Sequence, residues 1–113
     1  MFVGLDVHKK YTEVAIVDEE GVVTDQKRIE NEPGLIEEFS KRLNNATVVL
    51  ESSSSWYWLY EILFRKHSVV LSNPAKTTAI ASAKLKTDKV DALMLTNLLR
   101  GGYVAESYVG ARA

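Results

Sequence analysis

The sequence predicts an α/β fold built on a mixed five-stranded sheet, and three patterns predict it. Phe2–His8 and Thr47–Glu51 are short, nearly continuous apolar runs, as strands covered on both faces should be. Between them lie two further runs rich in β-branched residues, joined by a tight turn. From Asn31 onward, segments with helical apolar spacing alternate with strand-like runs, the arrangement that lays helices over parallel strands.

Each element has its own justification. Strand one covers about Phe2–His8 and strand two Thr12–Val17. Asp18-Glu19-Glu20-Gly21 reads as a turn, with Gly21 free to take positive φ. Val22–Ile29 is strand three, polar enough for an edge or one wet face. Asn31-Glu32-Pro33-Gly34 opens a helix with Pro33 at its first position, and Leu35, Ile36, Phe39 and Leu43 supply its apolar stripe. Asn44-Asn45 stops it, and Thr47–Glu51 follows as strand four. Ser52–Ser55 offer caps for a helix over about Trp56–Lys66, and Ser68–Ser72 is strand five.

After Asn73-Pro74 the pattern weakens, and Ala75–Lys86 fits either helix or loop. Lys76–Lys86 has few apolar anchors, which predicts weak order there without nucleic acid or another chain. A helix is predicted over about Thr87–Arg100 from the stripe of Val90, Leu93, Met94 and Leu98, ended by Gly101-Gly102.

The order βββαβαβα is a three-strand antiparallel meander followed by strands parallel to strand one. That is the ribonuclease-H-like arrangement, sheet order 3-2-1-4-5 with strand 2 antiparallel and flanking helices. Residues 1–113 read as a single domain of this kind. Parallel pairing of strands one and four sets Asp6 and Glu51 side by side at the carboxyl ends of the strands, where open α/β sheets place ligands.

An ionised Asp6 among Phe, Val and Leu is costly unless it caps a turn, pairs with a base or holds a cation. Glu51 ends the second apolar strand, and Asp88 and Asp91 lie three apart, so on a helix they share a face. Four carboxylates converging from two strands and a helix are the oxygen-donor set of a two-Mg²⁺ (or Mn²⁺) site for phosphoryl transfer.

Composition narrows the classes further. The chain is 46% hydrophobic and 26% charged, which fits a globular domain. No apolar run approaches a membrane span, the start lacks the basic region of a signal peptide, and there is no cysteine. These features suit the cytoplasm. Residues 1–75 carry 8 basic and 12 acidic side chains, a balance of −4; residues 76–113 carry 6 and 3, a balance of +3. The C-terminal part is thus a basic surface enclosing the Asp88/Asp91 pair, and Lys76, Lys84, Lys86 and Lys89 are candidate nucleic-acid contacts.

Gly4-Leu5-Asp6-Val7-His8-Lys9, then Glu51, then Lys86-Thr87-Asp88-Lys89-Val90-Asp91-Ala92 resemble the DEDD transposases of bacterial and archaeal insertion sequences. That family includes the pilin-gene DNA invertases, and its N-terminal domain is similar to the RuvC resolvase. The Lys-Thr-Asp-Lys-Val-Asp-Ala run is the specific part. The resemblance implies a catalytic domain for metal-dependent DNA strand cleavage and transfer, with Asp6, Glu51, Asp88 and Asp91 as catalytic metal ligands. It implies DNA as substrate, a structured guide RNA as a further partner, and a homo-oligomer in the full-length protein. It also implies that the family's C-terminal domain, which carries a serine, is absent from this chain.

Each singled-out residue has a local explanation as well. Asp6 can form a strand-end turn, Glu51 can be a solvated strand end, and Asp88 and Asp91 can favour a helix start through its dipole. His8 reads as a strand-end histidine, and His67 as a residue just past a helix. Ser52–Ser55 read as caps, since no base is placed to activate them. Trp56, Trp58 and Tyr60 read as core or interface aromatics. Two other functions fit the topology: an actin-like ATP-binding domain and a non-catalytic interaction remnant. The first needs a glycine-containing phosphate turn between strands one and two, and His8-Lys9-Lys10-Tyr11 has none.

Overall fold

A computed structural model describes residues 1–51, 56–73, 77, 79–80 and 91–104, with the side chain of Trp56 excepted. The strands are β1 (Phe2–Val7), β2 (Tyr11–Val17), β3 (Val23–Glu30), β4 (Thr47–Glu51) and β5 (Ser68–Ser72). The helices are α1 (Pro33–Arg42), α2 (Trp56–Leu63) and α3 (Ala92–Arg100). The strands form one sheet in the order β3-β2-β1-β4-β5. β1 pairs antiparallel with β2 and parallel with β4, β2 pairs antiparallel with β3, and β4 pairs parallel with β5. This is the ribonuclease-H-like sheet that the element order predicts.

The pleat sorts the central strands onto two faces. Val3 and Leu5 of β1, Val14 and Ile16 of β2, and Val48 and Leu50 of β4 point one way. They meet Ile36, Phe39 and Leu43 from the α1 segment and Leu59 and Leu63 of α2. Gly4, Asp6, Ala15, Val49 and Glu51 take the alternate positions and so share the opposite face.

α3 covers that second face, crossing β1 and β2. Its approach depends on Gly4: a Cβ there would lie 2.1 Å from Thr96 Oγ1 and 2.6 Å from the Ala92 carbonyl oxygen. Thr96 is fully buried, and its hydroxyl bonds the Ala92 carbonyl at 2.6 Å and the Ala15 carbonyl at 3.3 Å. Ala92 thus sits over β1 while Arg100 approaches Gly21 at the β2–β3 turn. The helix therefore runs against β1, and its N-terminus opens at the carboxyl ends of β1 and β4.

Several expectations shift in detail. Leu35 is 40% exposed rather than part of the buried stripe, because α1 turns Ile36, Phe39 and Ser40 inward instead. α2 gives way to turn structure after Leu63. The helix predicted through Asp91 instead starts after it: Asp91 is extended at φ −97°, ψ −178°, and caps α3. The physical reason is that an Asp side chain satisfies a free helix N–H better from the cap than from inside a turn. The expected weak order of Lys76–Lys86 falls largely outside the described residues, as do the Ser52–Ser55 caps. Among the described residues, no helix is long and apolar enough to cross a membrane.

Candidate active site

Asp6 follows Leu5, and Glu51 follows Leu50; Leu5 and Leu50 are in-register partners on parallel strands. The two carboxylates therefore leave the sheet side by side, on the face that α3 covers. Burial, and after it the charge of Asp6, raises the Glu51 pKa, while a charge on His8 acts the other way. Two acids that sense each other in this manner favour a cation or a shared proton between them.

Asp91 approaches from the opposite wall. It lines the same open cleft of about 560 Å³ as Asp6, together with His8, Tyr11, Glu13 and Arg28. Its Oδ1 accepts a 2.9 Å hydrogen bond from the Met94 N–H. One oxygen of Asp91 is thus engaged in capping. Glu51 is not among the cleft's lining residues; it adjoins through Asp6. Asp88 lies outside the described residues, and so do Lys76, Lys84, Lys86 and Lys89.

Sequence reasoning missed the other side of the cleft. Glu13 stands directly across from Asp6 on β2, and Arg28 stands across from Glu13 on β3. Arg28 donates to Glu13 Oε1 from Nε at 3.0 Å and Nη2 at 2.7 Å, and this bond raises its pKa. Its guanidinium carbon lies 3.8 Å from the centroid of the Tyr11 ring. Opposite charges at hairpin spacing were the available signal, but their alignment depends on a register shift at Ile16/Val17.

His67 has a structural task. It is buried just past α2; Nδ1 accepts from the Ala46 N–H at 3.0 Å, and Nε2 pairs with the Ser40 carbonyl at 3.1 Å. It ties the end of α1 to the start of β4, away from the cleft. Trp58 and Tyr60 are partly buried against the core, and Tyr60 stacks on Phe64 with centroids 5.5 Å apart.

The family model of DEDD transposases of the IS110 type, described as a transposase, matches residues 3–110. The chain belongs to that family. None of the curated proteins compared with it matches. Within this transposase domain the donor chemistry fits a hard divalent cation: the cleft and its rim offer carboxylate oxygens and neither thiolate nor thioether. Among the described residues, no three acid or histidine side chains already stand close enough to enclose an ion. They supply the Asp6/Glu51 pair and Asp91 across the cleft.

Proposed function

We propose that this chain is the catalytic domain of a DNA transposase or recombinase and cuts and joins DNA strands by divalent-metal-dependent phosphoryl transfer. Asp6, Glu51, Asp88 and Asp91 are its metal ligands in this reading, with Mg²⁺ or Mn²⁺ as the ion. The observation that supports it is the side-by-side placement of Asp6 and Glu51 on parallel strands, with Asp91 lining the same cleft as Asp6, in a chain of the DEDD transposase family. Bound there, the cations would supply activation of the attacking oxygen and stabilisation of the leaving oxygen in an in-line displacement at phosphorus.

The chain's own residues contribute placement. Parallel pairing supports a fixed spacing of Asp6 and Glu51, and the close packing of α3 on Gly4 supports a seat for Asp91 in the cleft that Asp6 lines. Lys76, Lys84, Lys86 and Lys89 are proposed to hold the DNA backbone, with a structured RNA as a further partner and a homo-oligomer as the working assembly in the cytoplasm. Family membership leaves the ATP-binding and remnant readings without a supporting observation.

The test is nicking of supercoiled DNA by the chain in Mg²⁺ or Mn²⁺. Nicking that stops with chelator and in Asp6→Asn is the expected result. Metal-independent nicking, or nicking retained by Asp6→Asn, contradicts the reading.

A further inference from the structure

His8, Tyr11, Arg28 and Glu13 form a run of contacts beside Asp6 to which the chemistry above gives no task. His8 Nε2 lies 3.1 Å from Asp6 Oδ2. An ionised carboxylate only accepts, so Nε2 carries the proton and donates. The imidazole stacks on Tyr11 with centroids 4.7 Å apart and planes 26° apart, and Arg28 takes the other face of that ring. Arg28 is in turn held by its two hydrogen bonds to Glu13, the acid directly across from Asp6.

The backbone of His8 is pinned as firmly as its ring. Its N–H donates to the Tyr11 carbonyl at 2.8 Å, and its carbonyl accepts from Asn31 Nδ2 at 2.7 Å. Asn31 is fixed by the hydroxyl of the buried Thr12 at 2.7 Å. A half-exposed histidine ordinarily keeps its rotamer freedom; here the Asp6 hydrogen bond and the Tyr11 stack offset the cost of ordering the ring, on a backbone held by two further hydrogen bonds.

We propose that His8 is a positioning residue: it holds Oδ2 of Asp6 so that the carboxylate presents Oδ1 to a divalent cation in the cleft. This rests on the reading of Asp6 as a cation ligand. Ligating carboxylates are commonly oriented by such outer hydrogen bonds, and losing one typically costs about 10–100-fold in metal affinity. The opposite role, in which His8 competes with the cation for Asp6, predicts the opposite sign on removal.

The experiment is a calorimetric Mn²⁺ titration of the full chain and of His8→Ala, His8→Asn, His8→Gln and Asp6→Asn, with metal-free melting curves for each. The Gln amide nitrogen stands as many bonds from Cβ as the histidine Nε2, whereas the Asn amide falls one bond short. His8→Ala and His8→Asn should bind Mn²⁺ about 10–100-fold more weakly at unchanged metal-free melting temperature, and His8→Gln should recover most of the loss. Affinity in His8→Ala equal to or tighter than that of the unaltered chain overturns the proposal while leaving Asp6 as a ligand. Equal weakening in all three His8 variants, tracking a loss of melting temperature, also overturns it. Equal Mn²⁺ binding by Asp6→Asn and the unaltered chain removes the ligand reading itself.

Discussion

Asp6 and Glu51 occupy the same step of two parallel strands, one residue beyond the Leu5–Leu50 pair, and the charge of Asp6 adds to burial in raising the Glu51 pKa. A carboxyl whose folded-state pKa is raised binds its proton more tightly when folded. Its stabilising contribution is therefore present below the unfolded carboxylate pKa and is lost as pH rises through the folded value. At neutral pH without metal, Glu51 is a cost to the fold.

Glu51→Gln should therefore raise the metal-free melting temperature at pH 7, with the advantage shrinking as pH falls through the raised folded-state value and gone below the ordinary carboxylate value. The gain should stay under about 1 kcal/mol, because solvent screens a half-exposed pair. Melting curves of both proteins at pH 4 and pH 7 check it. A Glu51→Gln domain that is less stable at pH 7 would show that the Glu51 charge is already compensated.

Cation binding should relieve the same repulsion. With a dissociation constant on the order of 1 mM, ~10 mM Mg²⁺ adds about 1.4 kcal/mol. For a domain of this size that is roughly a 4–8 °C rise in melting temperature. Asp6→Asn should keep the metal-free stability or raise it, and should lose the Mg²⁺ increment. Equal Mg²⁺ shifts for both proteins at constant ionic strength would exclude Asp6 as a ligand.

Gly4→Ala should test how α3 is seated. The added Cβ would meet Thr96 Oγ1 at 2.1 Å and the Ala92 carbonyl at 2.6 Å, so the helix must shift or the sheet must distort. Overpacking of this kind costs about 1–3 kcal/mol. Pairing it with Thr96→Ala should recover only part of the loss, because the Ala92 carbonyl belongs to the backbone. Urea denaturation of the single and double variants measures both; full recovery in the double variant would mean that the hydroxyl alone sets the approach.

The placement of these parts was legible in the sequence to different depths. Strand five was readable to the residue, because Ser68–Ser72 is a short apolar run between turn signals. The Asp6/Glu51 pairing followed from topology, since a parallel β1–β4 pair leaves no other edge for them. The Glu13–Arg28 pair was not readable. The register shift at Ile16/Val17 moves β3 by one residue against β2; without it Lys27, not Arg28, would face Glu13. A one-residue slip exchanges the two faces of a strand, and nothing in the local sequence announces it. The helix boundary at Asp91 was misread for a different reason: an acid early in an apolar-striped helix reads equally as first turn or as cap, and only the backbone dihedrals separate the two.

His67→Ala should destabilise the domain without touching the cleft. It strips the partner from the buried Ala46 N–H, while the Ser40 carbonyl keeps the Leu43 N–H. A buried group left unsatisfied costs about 1–3 kcal/mol. Chemical denaturation should register the loss, while Mn²⁺ affinity extrapolated to the folded fraction stays unchanged. A changed affinity would tie His67 to the site after all.

Asp91 combines two duties, and two substitutions separate them. Asn at an N-cap performs about as well as Asp, and its side-chain oxygen can still accept from the Met94 N–H. Asp91→Asn should therefore melt close to the unaltered chain, short only of the few tenths of a kcal/mol that a negative charge gains at a helix N-terminus. Asp91→Ala removes the acceptor and should cost about 1 kcal/mol. If Asp91 also holds a cation, both variants lose the charged donor, and DNA nicking should fall in both by at least the ~10–100-fold that loss of an outer-shell partner costs. The decisive comparison is Asp91→Asn, whose fold is intact. Nicking by Asp91→Asn at the unaltered rate would reduce Asp91 to a helix cap, and the metal site would have to be completed from the acids that remain.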